Sequence, residues 1–216
     1  MKRIHYIFIA ALLFITYSCE KNLTSEGVSK TTSYVVMTVV GEPFMSIAKG
    51  TAFTDPGVKA MEGDVAATVT TTGAVDANTP GVYTLKYTAV NKEGYSVSDS
   101  RIVCIYDPSA AANNFSGNYA RTTNQSLAVW TKIAPGMYTV NNPGGAPGTN
   151  LTIHAFNTTG NVIIVPTQKS SDGSITSCKN ATGGPEIILN PGPPAKYAWV
   201  VVNAGYGTST RTFIKQ

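Results

Sequence analysis

Gly81-Val-Tyr-Thr-Leu-Lys-Tyr-Thr-Ala-Val-Asn91 alternates strictly, placing Tyr83, Leu85, Tyr87 and Ala89 on one face and Thr84, Lys86 and Thr88 on the other. A period of two with one apolar and one polar face is the pattern of an antiparallel strand that has a core on one side and water on the other. Asn91-Lys-Glu-Gly94 carries turn residues, and Ser96 to Tyr106 returns as a second strand, so the stretch predicts a long hairpin. Upstream, Tyr34 to Val40 is a further β-branched run.

Composition extends this reading to the whole chain. Of the 216 residues 43% are hydrophobic and only 13% charged, which disfavours disorder and surface helices alike and suits strands joined by turns. Charge divides the chain near residue 110. From Cys19 to Ser109 there are seven Lys or Arg against ten Asp or Glu, and from Ala110 onward seven against two, Asp172 and Glu186. The seven basic residues, Arg121, Lys132, Lys169, Lys179, Lys196, Arg211 and Lys215, are dispersed, so they read as a solvated surface and no nucleic-acid partner is expected.

Asp107-Pro108 followed by Ser-Ala-Ala-Ala-Asn-Asn114 reads as a linker over residues 108–114. Beyond it, after Phe115-Ser-Gly117-Asn-Tyr119-Ala-Arg121, strands are predicted at Ser126 to Lys132, Met137 to Asn141, Leu151 to Phe156, Val162 to Thr167, Ile187 to Asn190, Lys196 to Asn203 and Thr208 to Lys215. No segment holds a helical period. Residues 115–216 therefore predict a second antiparallel β-domain, a small barrel or a sandwich.

The first part resembles a known family. Phe53-Thr-Asp55-Pro56-Gly57-Val58-Lys-Ala60, then Gly63, Val69-Thr70, Gly73, Val75-Asp76, the Gly81 to Ala89 strand, Gly94, and Arg101-Ile-Val103-Cys-Ile-Tyr-Asp107 are similar to the bacterial immunoglobulin-like domain of hyaline-repeat and insecticidal-crystal-protein type. The resemblance covers residues 34–107 and implies an Ig-like β-sandwich that serves as spacer or interaction module. Asn91 and Tyr95 depart from its usual Asp and Asn, at a turn. Asp55, Asp76 and Asp107 sit beside Gly or Pro, or in a turn, and read as turn formers rather than calcium ligands.

The chain opens Met1-Lys-Arg-Ile-His-Tyr-Ile-Phe-Ile-Ala-Ala-Leu-Leu-Phe-Ile-Thr-Tyr-Ser-Cys19, a basic start, an apolar stretch and small or polar residues before a cysteine. The apolar core, Ile7 to Ile15, falls short of the roughly 20 residues needed to span a bilayer. The segment resembles a lipobox of the Bacteroidetes type, which implies a signal peptide over 1–18, lipid attachment at Cys19 and a bacterial outer-membrane location, lipid-anchored and open to the cell surface. Residues 19–33 read as a polar tether. Once Cys19 is acylated, Cys104 and Cys178 remain, and two free, partly buried thiols are expected rather than a bridge.

Catalytic groups are sparse. Asp172 and Glu186 are the only carboxylates of the second half, Asp172-Gly173 is a turn dipeptide, and His154 reads as a surface or edge-strand residue. No nucleophile elbow, phosphate loop or Cys-x-x-Cys is present, so no enzyme activity, cofactor or metal is expected. Binding is better supplied. A glycan site needs exposed aromatic rings beside amides or basic groups. Trp130, with Lys132 on its face and Leu127, Val129 and Ile133 on the other, reads as an exposed ring, and Tyr206, in Asn203-Ala-Gly-Tyr-Gly-Thr208, as the tip of a hairpin. Trp130, Lys132 and Tyr206 are thus the candidate ligand-binding residues, while Tyr197 and Trp199 belong to the core. An Ig-like domain followed by a β-domain opening Phe-Ser-Gly-x-Tyr resembles two-domain lipoproteins encoded with polysaccharide-uptake systems. That resemblance implies a glycan-binding or accessory role with outer-membrane uptake proteins as partners. The alternative is a structural lipoprotein that docks onto a membrane partner or a neighbouring subunit. The six Asn-x-Ser/Thr sequences, at Asn22, Asn114, Asn124, Asn150, Asn157 and Asn180, are expected by chance in a chain this rich in Asn, Ser and Thr.

Overall fold

The predicted hairpin is present: β6 (Gly81–Val90) and β7 (Ser96–Tyr106) pair antiparallel from Gly81↔Ile105 to Val90↔Ser96. Leu85, Tyr87 and Ala89 are buried as the alternation requires. At the turn, Asn91 Oδ1 accepts from the amides of Glu93 and Tyr95, and Gly94 takes the positive φ of +90° that the reversal demands. The computed structural model describes residues 31–216; the signal segment, Cys19 and all but the last three residues of the tether lie outside them.

Strand β5 (Val69–Thr72) pairs with β6, and β2 (Phe44–Ala48) runs parallel to β7, giving a four-stranded sheet. A second sheet comprises β1 (Val35–Val39), β3 (Val58–Glu62) and β4 (Val65–Ala66). Together they form a sandwich whose core is thin: Val35, Ala60 and Ala89, flanked by Met37, Ala67, Val69 and Val97. Arg101 supplements it. Its side chain is fully buried, with Nε donating to Asp55 Oδ1 at 3.1 Å and to the Tyr87 hydroxyl at 3.2 Å, Nη2 to the Val40 carbonyl at 2.6 Å, and Nη1 to the Glu42 carbonyl. A buried guanidinium is tolerable only when paired and hydrogen-bonded in this way. Burial alone would raise the Asp55 pKa, but the Gly57 amide, the Tyr87 hydroxyl and Arg101 together hold it below its ordinary value.

Residues 108–114, read from sequence as a linker, are built into the structure. Asp107 caps a helical turn, α1 (Pro108–Ala111), by accepting from the Ser109 amide at 3.0 Å, and Pro108 occupies the first helical position, where a missing N–H is harmless. Asn113 then serves as an anchor: its carbonyl accepts from Lys132 Nζ at 2.6 Å and from the Tyr138 hydroxyl at 2.7 Å, and its amide donates to Asn157 Oδ1 at 2.9 Å. The sandwich also packs directly on the second half of the chain. Ile102, Cys104 and Phe156 form a buried cluster with Phe44, Val82, Tyr106 and Met137 around it, and the Phe44 ring stacks on His154 with centroids 3.8 Å apart.

The remaining strands are β8 (Gly117–Arg121), β9 (Leu127–Ala134), β10 (Met137–Asn141), β11 (Thr152–Thr159), β12 (Val162–Lys169), β13 (Ile175–Lys179), β14 (Glu186–Ile188), β15 (Lys196–Val202) and β16 (Arg211–Lys215). Eight of them close in the order β11-β10-β9-β8-β16-β15-β13-β12, with β12 pairing back to β11 and β14 lying along the first half of β12. The fold is thus all-β, a sandwich followed by a closed antiparallel barrel, and closure leaves the barrel without unpaired edges. Where Pro166 cannot donate to the β11 backbone, the buried Gln168 amide takes over, accepting from the His154 N–H and donating to the His154 carbonyl, each at 2.8 Å.

Aromatic rings fill the barrel. Trp130 and Trp199 stack at 5.7 Å, Tyr197 stacks on Phe213 at 5.0 Å, and Tyr119 and Tyr138 meet Trp130 from either side. Polar tips are satisfied: Trp130 Nε1 donates to the Tyr197 hydroxyl at 3.0 Å and Trp199 Nε1 to the Pro143 carbonyl at 2.8 Å. Trp199 and Tyr197 are core residues, as expected. The reading of Trp130 as an exposed ring is corrected: it is 2% exposed, while Leu127, Val129 and Ile133, expected inside, are 41%, 36% and 46% exposed. Both faces of β9 are apolar, and a barrel this size needs the larger side chain within. Trp130 stands opposite Gly117, where the space a Cβ would fill is taken by the Lys215 side chain, its Cε 2.7 Å from that position.

Candidate functional site

The end of the barrel where β8 finishes and β16 begins carries two arginines. Arg121 on β8 stands directly opposite Phe213 on β16, and Arg211 lies two residues before it. Phe213 is a fully buried member of the aromatic core, so register places both arginines on the inward face, at the mouth. Arg211 is only 7% exposed. Its Nη1 donates to the Ser209 carbonyl at 3.1 Å, and its guanidinium carbon lies 5.2 Å from the centroid of the Tyr206 ring, a cation–π contact.

Two segments hold these groups in place. Tyr206 sits in the turn from Asn203, whose Oδ1 accepts from the Gly205 amide at 2.8 Å and whose Nδ2 donates to Thr176 Oγ1 at 2.7 Å. Opposite it, the Pro143-Gly144-Gly145 bend passes so close that a Cβ on Gly144 would stand 2.1 Å from Tyr206 Cε1, and one on Gly145 would stand 2.9 Å from Arg121 Cβ. Absent side chains at 144 and 145 let ring and guanidinium lie against backbone. The resulting cleft has a volume of about 450 Å³, and Arg121, Thr149, Asp172, Asn203, Tyr206 and Arg211 are among its lining residues.

Electrostatically the cleft is lopsided. Burial lowers the Arg211 pKa, and repulsion from Arg121 lowers it further. Among the described residues, Arg121 Nε, Arg211 Nε and the Tyr206 hydroxyl are buried with no hydrogen-bond partner, and neither arginine forms an ion pair. Asp172, the one carboxylate on the wall, is engaged within its own turn: Oδ1 accepts from Ser174 Oγ at 2.7 Å, from the Ser174 amide at 2.9 Å and from Ser170 Oγ at 2.9 Å. Those bonds, Ser174 first, hold its pKa below the ordinary value.

The three candidate residues do not come together. Tyr206 is at the mouth, Trp130 is inside the barrel, and Lys132 lies toward the opposite end of β9, its ammonium bound to the carbonyls of Ala111 and Asn113. Asp172 reaches the mouth, whereas Glu186 belongs to β14, opposite Ile164. His154 faces out of the barrel onto Phe44. Asp55, Asp76 and Asp107 each accept from the amide two residues on, as turn formers do, and no group of three or more His, Cys, Asp or Glu among the described residues could hold a metal ion. Cys104 and Cys178 are both buried and free. The sequons at Asn114, Asn124 and Asn180 are likewise Asx turns, and Asn157 is buried.

Sequence reasoning passed over the two arginines, which it set among dispersed surface charges. A signal was present. Arg121 falls two residues after Tyr119 and Arg211 two before Phe213, so each shares a strand face with an aromatic of the core.

Residues 37–105 match the family model described as a bacterial surface protein, Ig-like domain. The matched segment therefore runs from within β1 to nearly the end of β7 and includes Asp55, Tyr87 and Arg101, while the barrel lies wholly outside it. No curated protein matches the chain. Among solved structures the chain is similar to a lipoprotein from Bacteroides thetaiotaomicron, at 23% identity and a TM-score of 0.36, over 85% of this chain and 100% of that one.

Proposed function

We propose that this protein is a non-catalytic accessory lipoprotein, anchored through Cys19 to a bacterial outer membrane, whose barrel mouth binds a glycan for a polysaccharide-uptake system. The cleft carries the reading. It sets the Tyr206 ring beside the Asn203 amide and the two guanidiniums in a volume of about 450 Å³, which is room for one or two sugar units. Sugars present apolar C–H faces to rings and hydroxyls to amides, and this wall offers both. The lipobox before Cys19 supports the anchor, and the Ig-like segment supports a spacer. Affinity electrophoresis of the soluble mature chain, residues 20–216, against a panel of neutral and acidic polysaccharides tests the reading: retardation by at least one member, weakened roughly ten-fold in Tyr206→Ala, is the expected result. A chain retarded by none would remove it.

The second reading, docking onto a protein partner, has its own observation. Leu127, Val129 and Ile133 project from one strand of the outer wall of the barrel, an apolar row of the kind that protein contacts cover. Cross-linking in intact cells separates the two, because a protein partner captured equally with and without glycan favours docking.

A further inference from the structure

Arg101 provides an internal standard for what a buried arginine in this chain requires. Wholly shielded from water, it is met by Asp55, Tyr87 and the carbonyls of Val40, Glu42 and Gly57. Arg211, 7% exposed, is met by one carbonyl and a ring face, and it has a second guanidinium for a neighbour where Arg101 has a carboxylate. Arg121 reaches the carbonyls of Gly144 and Gly145 only at 3.5 Å. The Nε atoms of both, and the Tyr206 hydroxyl between the same walls, are buried donors without acceptors. Two like charges in a desolvated site repel strongly, and unmet buried donors carry a penalty of their own. One kind of group relieves both: an anion with several acceptor lone pairs, entering from the open side of the cleft.

We propose that the barrel mouth is a site for acidic glycans, in which a sugar carboxylate, that of a uronic acid unit, is held between Arg121 and Arg211 while the ring of the same or the adjoining sugar lies against Tyr206. This rests on the glycan reading above and narrows its ligand class. A guanidinium presents parallel N–H donors that match the two oxygens of a carboxylate, and charge-assisted bonds of that kind are the strong ones. The Tyr206 hydroxyl supplies a further donor, and the cation–π contact with Arg211 fixes the ring. Asp172 also stands on the wall, its Oδ1 held by Ser170 and Ser174, and this one carboxylate against two guanidiniums leaves the site net positive. Two positive groups at an inward mouth, on a barrel half with seven basic residues against two acidic, favour an acidic polymer over a neutral one.

The test uses residues 20–216 in affinity electrophoresis with polygalacturonate, unsulfated hyaluronan and alginate. Fully methyl-esterified polygalacturonate and dextran serve as uncharged comparisons, and dextran sulfate as a polyanion without carboxylates. Retardation by at least one uronate polymer is expected, reduced roughly ten-fold or more by methyl esterification and by Arg211→Met or Arg121→Met. The esterification arm uses the unaltered protein, so it stands even where a variant misfolds. Equal affinity for charged and esterified polymer, or binding of neutral glycans alone, would overturn the acidic assignment and leave glycan binding intact. Dextran sulfate bound as tightly as the uronates would overturn the carboxylate assignment. Binding to none of the polymers would remove both readings together.

Discussion

Arg101 Nε lies 3.1 Å from Asp55 Oδ1, with the arginine side chain wholly shielded from water. The pair ties the Phe53–Gly57 loop to β7 and closes a sandwich whose apolar core is small. Arg101→Met leaves Asp55, a quarter exposed and still bonded to Gly57 and Tyr87, without its cation and the carbonyls of Val40 and Glu42 without their donor, so it is expected to destabilise the protein by about 2 kcal/mol, measured by urea unfolding. The folded-state pKa of Asp55 is depressed, so its contribution is complete above the ordinary carboxylate range and is lost as pH falls below about 4. In Asp55→Asn that acid-side decline should flatten.

His154 under the Phe44 ring predicts a second pH dependence. Burial lowers the imidazole pKa, against an opposing pull from Gln168. The unfolded chain then takes up the proton more readily than the folded one, so stability is full above about pH 6.5 and falls as pH drops through and below it. Thermal melting between pH 7.5 and 5 should show this decline, and His154→Leu should remove that part of it.

Trp130→Ala empties the centre of the barrel and is expected to cost roughly 3 to 5 kcal/mol in unfolding free energy. An exposed binding ring would cost almost nothing, so denaturation separates the two roles without any ligand.

Gly144→Ala places a methyl group where Tyr206 Cε1 now lies, 2.1 Å from the new Cβ. The ring must turn away from the mouth. Glycan retardation should then weaken by roughly ten-fold, about as in Tyr206→Ala, with the melting temperature changing less than in Trp130→Ala.

Both thiols of the described residues should resist reagents. Burial pushes the Cys104 pKa up to about 12, against a hydrogen bond from Ser46, and raises that of Cys178 well above its ordinary value. Titration of residues 20–216 with a thiol-reactive chromogen is expected to proceed about a hundred-fold more slowly in the native state than in denaturant.

Legibility in the sequence followed the clarity of alternation. The β6–β7 hairpin has one polar and one apolar face and a turn of standard chemistry, so its faces and ends could be read directly. Strand β9 also alternates, but Leu127, Val129 and Ile133 are as apolar as Ala128 and Trp130, and the period says nothing about which side is inside. Ile175-Thr-Ser-Cys-Lys179, which is β13, passed as loop because the two residues it buries are Thr176 and Cys178. The mouth was illegible for a different reason. Arg121 and Arg211 are ninety positions apart in the chain, and only the pairing of β8 with β16 makes them neighbours. Tyr206 was visible alone because glycines flank it on both sides.

The wall-to-wall filling of the barrel has a kinetic meaning. With Trp130, Trp199 and Tyr197 occupying the interior, a guest at the mouth has no inner chamber to enter, and no strand needs to part for it to arrive or leave. Residence at such a rim is governed by the contacts alone, with no gating step added. On the glycan reading proposed above, such a rim would hold a passing chain briefly and surrender it to whatever grips harder.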